Sequence, residues 1–124
     1  MITLLIADDQ ALVRGALAAL LNLEKDLQVV AEVGSGTEIV AAALKAHVDV
    51  ALIDIEMPRM DGYTLAGEIR KYSKYRNLPL IAVTSRTSKT DRLRGVEVGM
   101  TEYITKPYSA EYLENVVRKN IKLA

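Results

Sequence analysis

The 124-residue chain has no cysteine, which excludes disulfides, thiolate metal sites and cysteine nucleophiles together. Its single histidine, His47, excludes a polyhistidine metal centre. Tryptophan and phenylalanine are absent, so the six aromatic residues are all tyrosine. An excess of one charge is missing too: 16 basic and 16 acidic side chains leave no net field to gather nucleic acid, and no direct nucleic-acid partner is expected. No apolar run approaches the roughly 20 residues that cross a bilayer, and no basic leader with a cleavage site opens the chain. A cytoplasmic protein without a membrane partner is therefore expected. With three prolines, seven glycines and half its residues hydrophobic, the composition is that of one packed domain, not of a disordered segment.

What is present is a regular alternation. Short apolar runs occur at Ile2–Ala7, Leu27–Val33, 48–53, 80–83 and Tyr103 with Ile104. Their length, their Val and Ile content and their Asp, Gly, Pro or Ser borders suit strands buried on both faces, while the second run alternates as an edge strand does. Helix-length segments separate them. The first, 11–23, offers Leu12, Ala16, Ala19, Leu20 and Leu23 as the core face. A capping pattern at Ser35 and Glu38 precedes Ile39, Val40, Ala43 and Leu44, and the third helix is expected over 62–72. Ser88 and Asp91 repeat the capping pattern before Leu93, Val96 and Val98, with Gly99 as the stop. Ser109 precedes the fifth, with Tyr112, Leu113, Val116, Val117 and Ile121 on one side. Five successive strand–helix units predict an α/β domain, a doubly wound five-stranded parallel sheet with five helices on its two faces. No linker or composition break divides residues 1–124, so one domain without an output domain is expected.

In such sheets ligands bind beyond the carboxyl ends of the strands. Strand one ends in Asp8 and Asp9, strand three in Asp54, Ile55 and Glu56, strand four in Thr84 and Ser85, strand five in Thr105, Lys106 and Pro107. Taken singly, an aspartate there caps a helix or organises a turn, Thr84 is an ordinary strand residue and Lys106 a solvated lysine. Taken together they place several acids, a hydroxyl and an ammonium at one end of one sheet. Clustered carboxylates repel one another, and a hard cation such as Mg²⁺ relieves that repulsion.

The same residues resemble the receiver domain of two-component response regulators. Asp8 and Asp9 follow strand one, Asp54 is followed by Met57, Pro58 and Gly62, Thr84 ends strand four, and Lys106 with Pro107 follows strand five. The resemblance covers essentially the whole chain and implies the flavodoxin-like strand order 2-1-3-4-5. It implies that Asp54 takes a phosphoryl group from a histidine kinase or a histidine phosphotransfer domain, as a phosphoacceptor that loses the group again and turns over no separate substrate. Asp9 and Asp54 would ligate Mg²⁺ directly, Glu56 through its carbonyl and Asp8 mainly through water. Lys106 would pair with a phosphoryl oxygen, from a cis Lys106–Pro107 peptide. Thr84 and Tyr103 are the implied switch, Tyr103 standing three residues before Lys106 as the family spacing requires. Glu56 and Arg86 would flank attacking water and tune dephosphorylation. Gln10, Ala11, Arg14, Pro107 and Tyr108 are the implied docking residues. The fourth helix, strand five and the fifth helix are the implied surface for a homodimer or an output domain.

Rival readings fit less well. A haloacid-dehalogenase-like phosphatase places its acid pair after the first strand and usually needs a longer chain with a cap. A flavodoxin needs a Ser/Thr/Gly-rich phosphate loop where this chain has two aspartates. A pseudo-receiver typically lacks one or more of five residues that are all present here. The halves also differ in style, the first alanine-rich and the second, from Tyr63, more like chemotaxis-type receivers, which raises a recombined chain as an alternative. Charge divides the same way. Residues 1–62 hold ten acids and four bases, a balance of −6, so the remainder carries +6. The bases of the last two helices, Arg92, Arg94, Arg118, Lys119 and Lys122, form either a solvated face or a partner surface.

Overall fold

The computed structural model describes residues 1–34, 47–55, 62–71, 77–85 and 89–121. The five apolar runs are strands β1 (Ile2–Ala7), β2 (Leu27–Val33), β3 (Val50–Asp54), β4 (Leu80–Thr84) and β5 (Glu102–Thr105). Every neighbouring pair is parallel and the order is β2-β1-β3-β4-β5, with β2 at an edge as its alternation requires. The register between β1 and β2 shifts between Leu4 and Leu5, which pair with Val29 and Ala31. Among the described residues the helices are α1 (Ala11–Asn22), α2 (Gly62–Arg70), α3 (Lys89–Val98) and α4 (Ala110–Lys119). The helix expected after Ser35 and Glu38 lies outside the described residues, as does Ser88.

The alternation of side chains along each strand sorts the core into two layers. Leu4, Ile6, Val50, Leu52, Ile81 and Val83 face one way and pack with Ala18 and Leu21 of α1 and Leu113, Val116 and Val117 of α4. Leu5, Ala7, Ala51, Ile53, Leu80 and Ala82 face the other way, against Tyr63, Leu65, Ala66 and Ile69 of α2. Val98 and Tyr103 pack on that second layer. β3 and β4 are buried along their whole length, as central parallel strands should be.

The helix faces differ in two places from the expected ones. α1 was expected to bury Leu12, Ala16, Ala19, Leu20 and Leu23, but Leu12 and Leu23 are 87% and 76% exposed and the buried residues are Ala18 and Leu21. This helix is apolar on nearly every side, so spacing alone does not select the face that packs. In α3 the expected stripe also fails, because Leu93 and Val96 are exposed while Gly95 is buried. α4 behaves as read, with Leu113, Val116 and Val117 buried, although Tyr112 is half exposed. Ser109 caps it by accepting from the Tyr112 amide at 3.1 Å. Gly99 ends α3 with φ of 89°, a conformation that favours glycine.

At the amino ends of the central strands, Asp49 joins β3 to β1. Its Oδ2 accepts from the Thr3 amide at 2.9 Å and the Thr3 hydroxyl at 3.0 Å, and the Asp49 amide donates to the Thr3 carbonyl at 2.8 Å. Burial alone would raise the Asp49 pKa, but the Thr3 bonds and His47 outweigh it and hold the carboxyl below its ordinary value. A depressed carboxylate contributes stability that is complete above its unfolded pKa and is lost as pH falls through the folded one. Asp49→Ala should therefore cost about 1–3 kcal/mol near neutral pH, from the lost bonds and the unpaired Thr3 amide. In urea unfolding the gap from the parent chain should narrow as the pH is lowered below about 4.

Candidate functional site

Three parallel strands deliver their last residues to one place. Asp8 follows β1, Asp54 ends β3, and Lys106 follows β5, all on the face of the sheet shared with α1 and α4 by the two-residue alternation. Asp8, Asp9 and Asp54 each offer a carboxylate oxygen, and these atoms all lie within 4.8 Å of one another. Asp8 and Asp54 are buried at 8% and 7% exposure, and Asp9 is the more open of the three. Lys106 Nζ lies 3.2 Å from Asp54 Oδ1 and forms an ion pair with it. The Lys106 amide donates to the Thr84 carbonyl at 2.9 Å, and the Lys106–Pro107 peptide is cis, as expected.

Neither aspartate after β1 serves as the helix cap. Gln10 is the N-cap of α1 and has no side-chain cap bond, while Asp8 Oδ1 accepts from the Gln10 amide at 2.9 Å. Burial raises the Asp8 pKa; the Gln10 bond opposes this, the Asp54 charge adds to it, Lys106 opposes it and Asp9 adds to it. A carboxylate is thus held in a setting that disfavours its charge. Oxygen donors crowded in this way, with one ammonium beside them, match the ligand chemistry of a hard divalent cation. The Glu56 carbonyl assigned to the same ion lies outside the described residues, and so do both members of the Glu56 and Arg86 pair.

The remaining expected residues fall in two groups. Thr84 is fully buried at the end of β4, and it alternates onto the α2 and α3 side of the sheet, where Tyr103 also packs. Of the docking set, Gln10, Ala11 and Pro107 are exposed, and Tyr108 is half-buried beside a small cavity of about 30 Å³ that Val13, Leu17, Asp54 and Lys106 also line. Arg14 turns inward: its Nη1 donates to the Asp8 carbonyl at 2.6 Å and its Nε is 3.6 Å from Glu32 Oε1, an ion pair longer than a hydrogen bond. It braces the loop that carries the two aspartates.

Gly62, read from sequence as part of the motif, has a packing reason. A Cβ there would lie 2.8 Å from the Asp54 carbonyl oxygen and 2.6 Å from Ile55 Cδ1, so α2 reaches the acceptor strand only with glycine at this position. Two contributors were not read from sequence. Arg70 clamps α2 to the turn after α3 and to the turn before β4, donating to Gly99 O at 2.6 Å and Leu78 O at 2.7 Å. Tyr63, fully buried at the start of α2, reaches Tyr103. A glycine inside a helical pattern, Gly95, was the available signal for that contact.

An open parallel sheet with an acid trio at its carboxyl edge, a lysine on the acceptor aspartate and a buried threonine defines a phosphoacceptor signalling domain. The response regulator receiver domain family matches residues 4–118, and the chain belongs to that family. It is a phosphoacceptor and not a turnover enzyme. Receivers exchange phosphoryl groups with histidine kinases, and the sensor histidine kinase CheAY of Helicobacter pylori is 73% identical over 75 residues, 60% of this chain and 9% of that protein. An uncharacterized transcriptional regulatory protein, YvfU of Bacillus subtilis, is 34% identical over 98% of this chain and 60% of its own length. The chain thus spans well under two thirds of these relatives. Among solved structures, the Vibrio cholerae chemotaxis protein CheY4 is 29% identical with a TM-score of 0.91, covering 98% of this chain and 99% of that one. The receiver domain of sensor histidine kinase PA1611 from Pseudomonas aeruginosa, solved with a magnesium ion coordinated in its active-site cleft, is 27% identical with a TM-score of 0.82 over 94% of each chain. No helix among the described residues is long and apolar enough to cross a membrane.

If the acid trio is held against its own repulsion, removing one charge should relieve it. Asp8→Asn should raise the metal-free melting temperature by a few degrees and shrink the further rise that Mg²⁺ gives the parent. Calorimetric melting with EDTA and with excess Mg²⁺ checks both.

Proposed function

We propose that the chain is a single receiver domain over residues 1–124 in which Asp54 accepts the phosphoryl group. One observation carries this reading: Asp54 lies buried at the carboxyl end of a central strand with two further carboxylates within 4.8 Å and the Lys106 ammonium at 3.2 Å. An Asp54 carboxylate oxygen attacks the phosphorus of a phosphohistidine, the phosphorus–nitrogen bond breaks, and the electron pair leaves with the imidazole. A carboxylate is a modest nucleophile, so its fixed position and the surrounding charge carry most of the catalysis. Lys106 holds a phosphoryl oxygen, and Thr84 donates its hydroxyl to another. Asp9 and Asp54 bind Mg²⁺ directly, with Glu56 through its carbonyl and Asp8 through water. When bound, that ion offsets negative charge on the transferring oxygens.

The switch follows from the shared face of Thr84 and Tyr103: movement of a buried threonine hydroxyl toward a new phosphoryl group changes the layer in which the tyrosine packs. Glu56 and Arg86 flank the path of water and set how long the acyl phosphate lasts. The donor is a sensor histidine kinase or a histidine phosphotransfer domain, docking over Gln10, Ala11, Arg14, Pro107 and Tyr108. Exposed Leu93, Val96 and Tyr112 support a homodimer or output contact through α3, β5 and α4. Such a domain works in the cytoplasm. The contrast between 73% identity confined to 75 residues and 34% identity over 122 supports a second, compatible reading, that the chain is recombined from two receivers.

Incubation with acetyl phosphate and Mg²⁺ should add one phosphoryl group by intact mass to the parent chain and none to Asp54→Ala. An adduct that survives the substitution would move the acceptor elsewhere, and no adduct on the parent would favour a pseudo-receiver that works by contact alone.

A further inference from the structure

Glycine in a helix interior weakens the helix, yet α3 carries Gly95 near its middle, buried against the sheet. Its lack of a side chain is used by Tyr103. A Cβ at position 95 would coincide with the Tyr103 hydroxyl and stand 2.6 Å from the ring carbon that bears it. The hydroxyl lies 3.2 Å from the Asp91 carbonyl, one turn earlier in α3, and 3.4 Å from the Tyr63 hydroxyl of α2. One phenolic proton cannot serve both neighbours. Both oxygens are satisfied when Tyr103 donates to the Asp91 carbonyl and Tyr63 donates to Tyr103.

Tyr63 is the fixed member of the pair. It is 1% exposed, and the Arg94 guanidinium lies 5.0 Å from its ring centroid. Burial, then the bond with Tyr103, raises its pKa, which keeps the phenol protonated and able to donate. Its neighbour Gly62 packs on the Asp54 carbonyl, so the helix that carries Tyr63 is seated on the acceptor strand.

We propose that Tyr63 is a positioning residue for the switch: its hydroxyl, the Asp91 carbonyl and the notch at Gly95 latch Tyr103 into the seam between α2 and α3 in the unphosphorylated chain. The term switch rests on the proposed function, whereas the latch rests on these contacts. Released from it, the Tyr103 ring samples other rotamers, so the latch sets the resting state from which phosphorylation must act.

Nuclear magnetic resonance of the full chain with ring-labelled tyrosine tests this, with Tyr103→Phe to assign the signal. In the parent the Tyr103 ring should show a cross-relaxation peak to the Gly95 α-protons. Tyr63→Phe keeps the ring and its packing but removes the donor, and it should shift the Tyr103 ring signals and weaken that peak while amide signals elsewhere stay in place. Gly95→Ala, which fills the notch, should displace the Tyr103 ring signals further than Tyr63→Phe does. Unchanged Tyr103 signals in Tyr63→Phe, as a purely packing role for Tyr63 requires, would overturn the latch. Acetyl phosphate labelling of the same samples separates the two claims: a parent that takes no phosphoryl group refutes the acceptor reading, while the ring signals still decide the latch.

Discussion

Three carboxylates within 4.8 Å of one another are the constraint around which this molecule is arranged. Like charges at that distance repel, and burial of Asp8 and Asp54 weakens the solvent screening that would relieve them. The fold holds them there because β1 and β3 are adjacent parallel strands, buried at their ends and in fixed register, Ala7 opposite Ile53. The residues that follow that pair have nowhere else to go. Arg14 on the Asp8 carbonyl, Gly62 under the Asp54 carbonyl and Lys106 on the Asp54 carboxylate complete the frame. The repulsion is thereby stored where a cation and a phosphoryl group can relieve it.

The even charge balance takes on a different meaning in this frame. The acidic first half and the basic second half meet inside the structure. Lys106 pairs with Asp54, and Arg118 of α4 reaches back to Glu24 and Asp26 at 3.0 and 2.7 Å. Those two contacts with Arg118 lower the Asp26 pKa and raise that of Arg118, although both groups are exposed enough for water to screen the pair. Arg94 is engaged with the Tyr63 ring, and Lys119 with Glu102 at 2.9 Å. Much of the basic surface on the last two helices is therefore occupied by the chain's own acids and aromatics.

The strands, their parallel pairing and the residues at their ends were legible because apolar runs and their borders are local signals. The strand order came with the family resemblance and not with periodicity. The face of α1 was not legible, since a helix apolar on most sides leaves the choice to its neighbours. α3 was misread for the opposite reason: what it buries is Gly95, which carries no hydrophobic signal and whose place is explained by a tyrosine eight residues later in the chain. Arg14 likewise reads as a surface base until Asp8 and Glu32 are brought beside it by the sheet. Chemistry at strand ends is written in the sequence, whereas braces between elements become visible only when the elements are packed.

The claim on which all of this depends is that Asp8, Asp9 and Asp54 act as one cation site. Titration of Mg²⁺ into the chain carrying ¹³C-carboxyl aspartate measures it most directly. The three carboxyl signals should shift together along a single saturating isotherm while those of Asp26, Asp49 and Asp91 stay in place. Shifts spread evenly over the surface aspartates, or separate isotherms for the three, would contradict it.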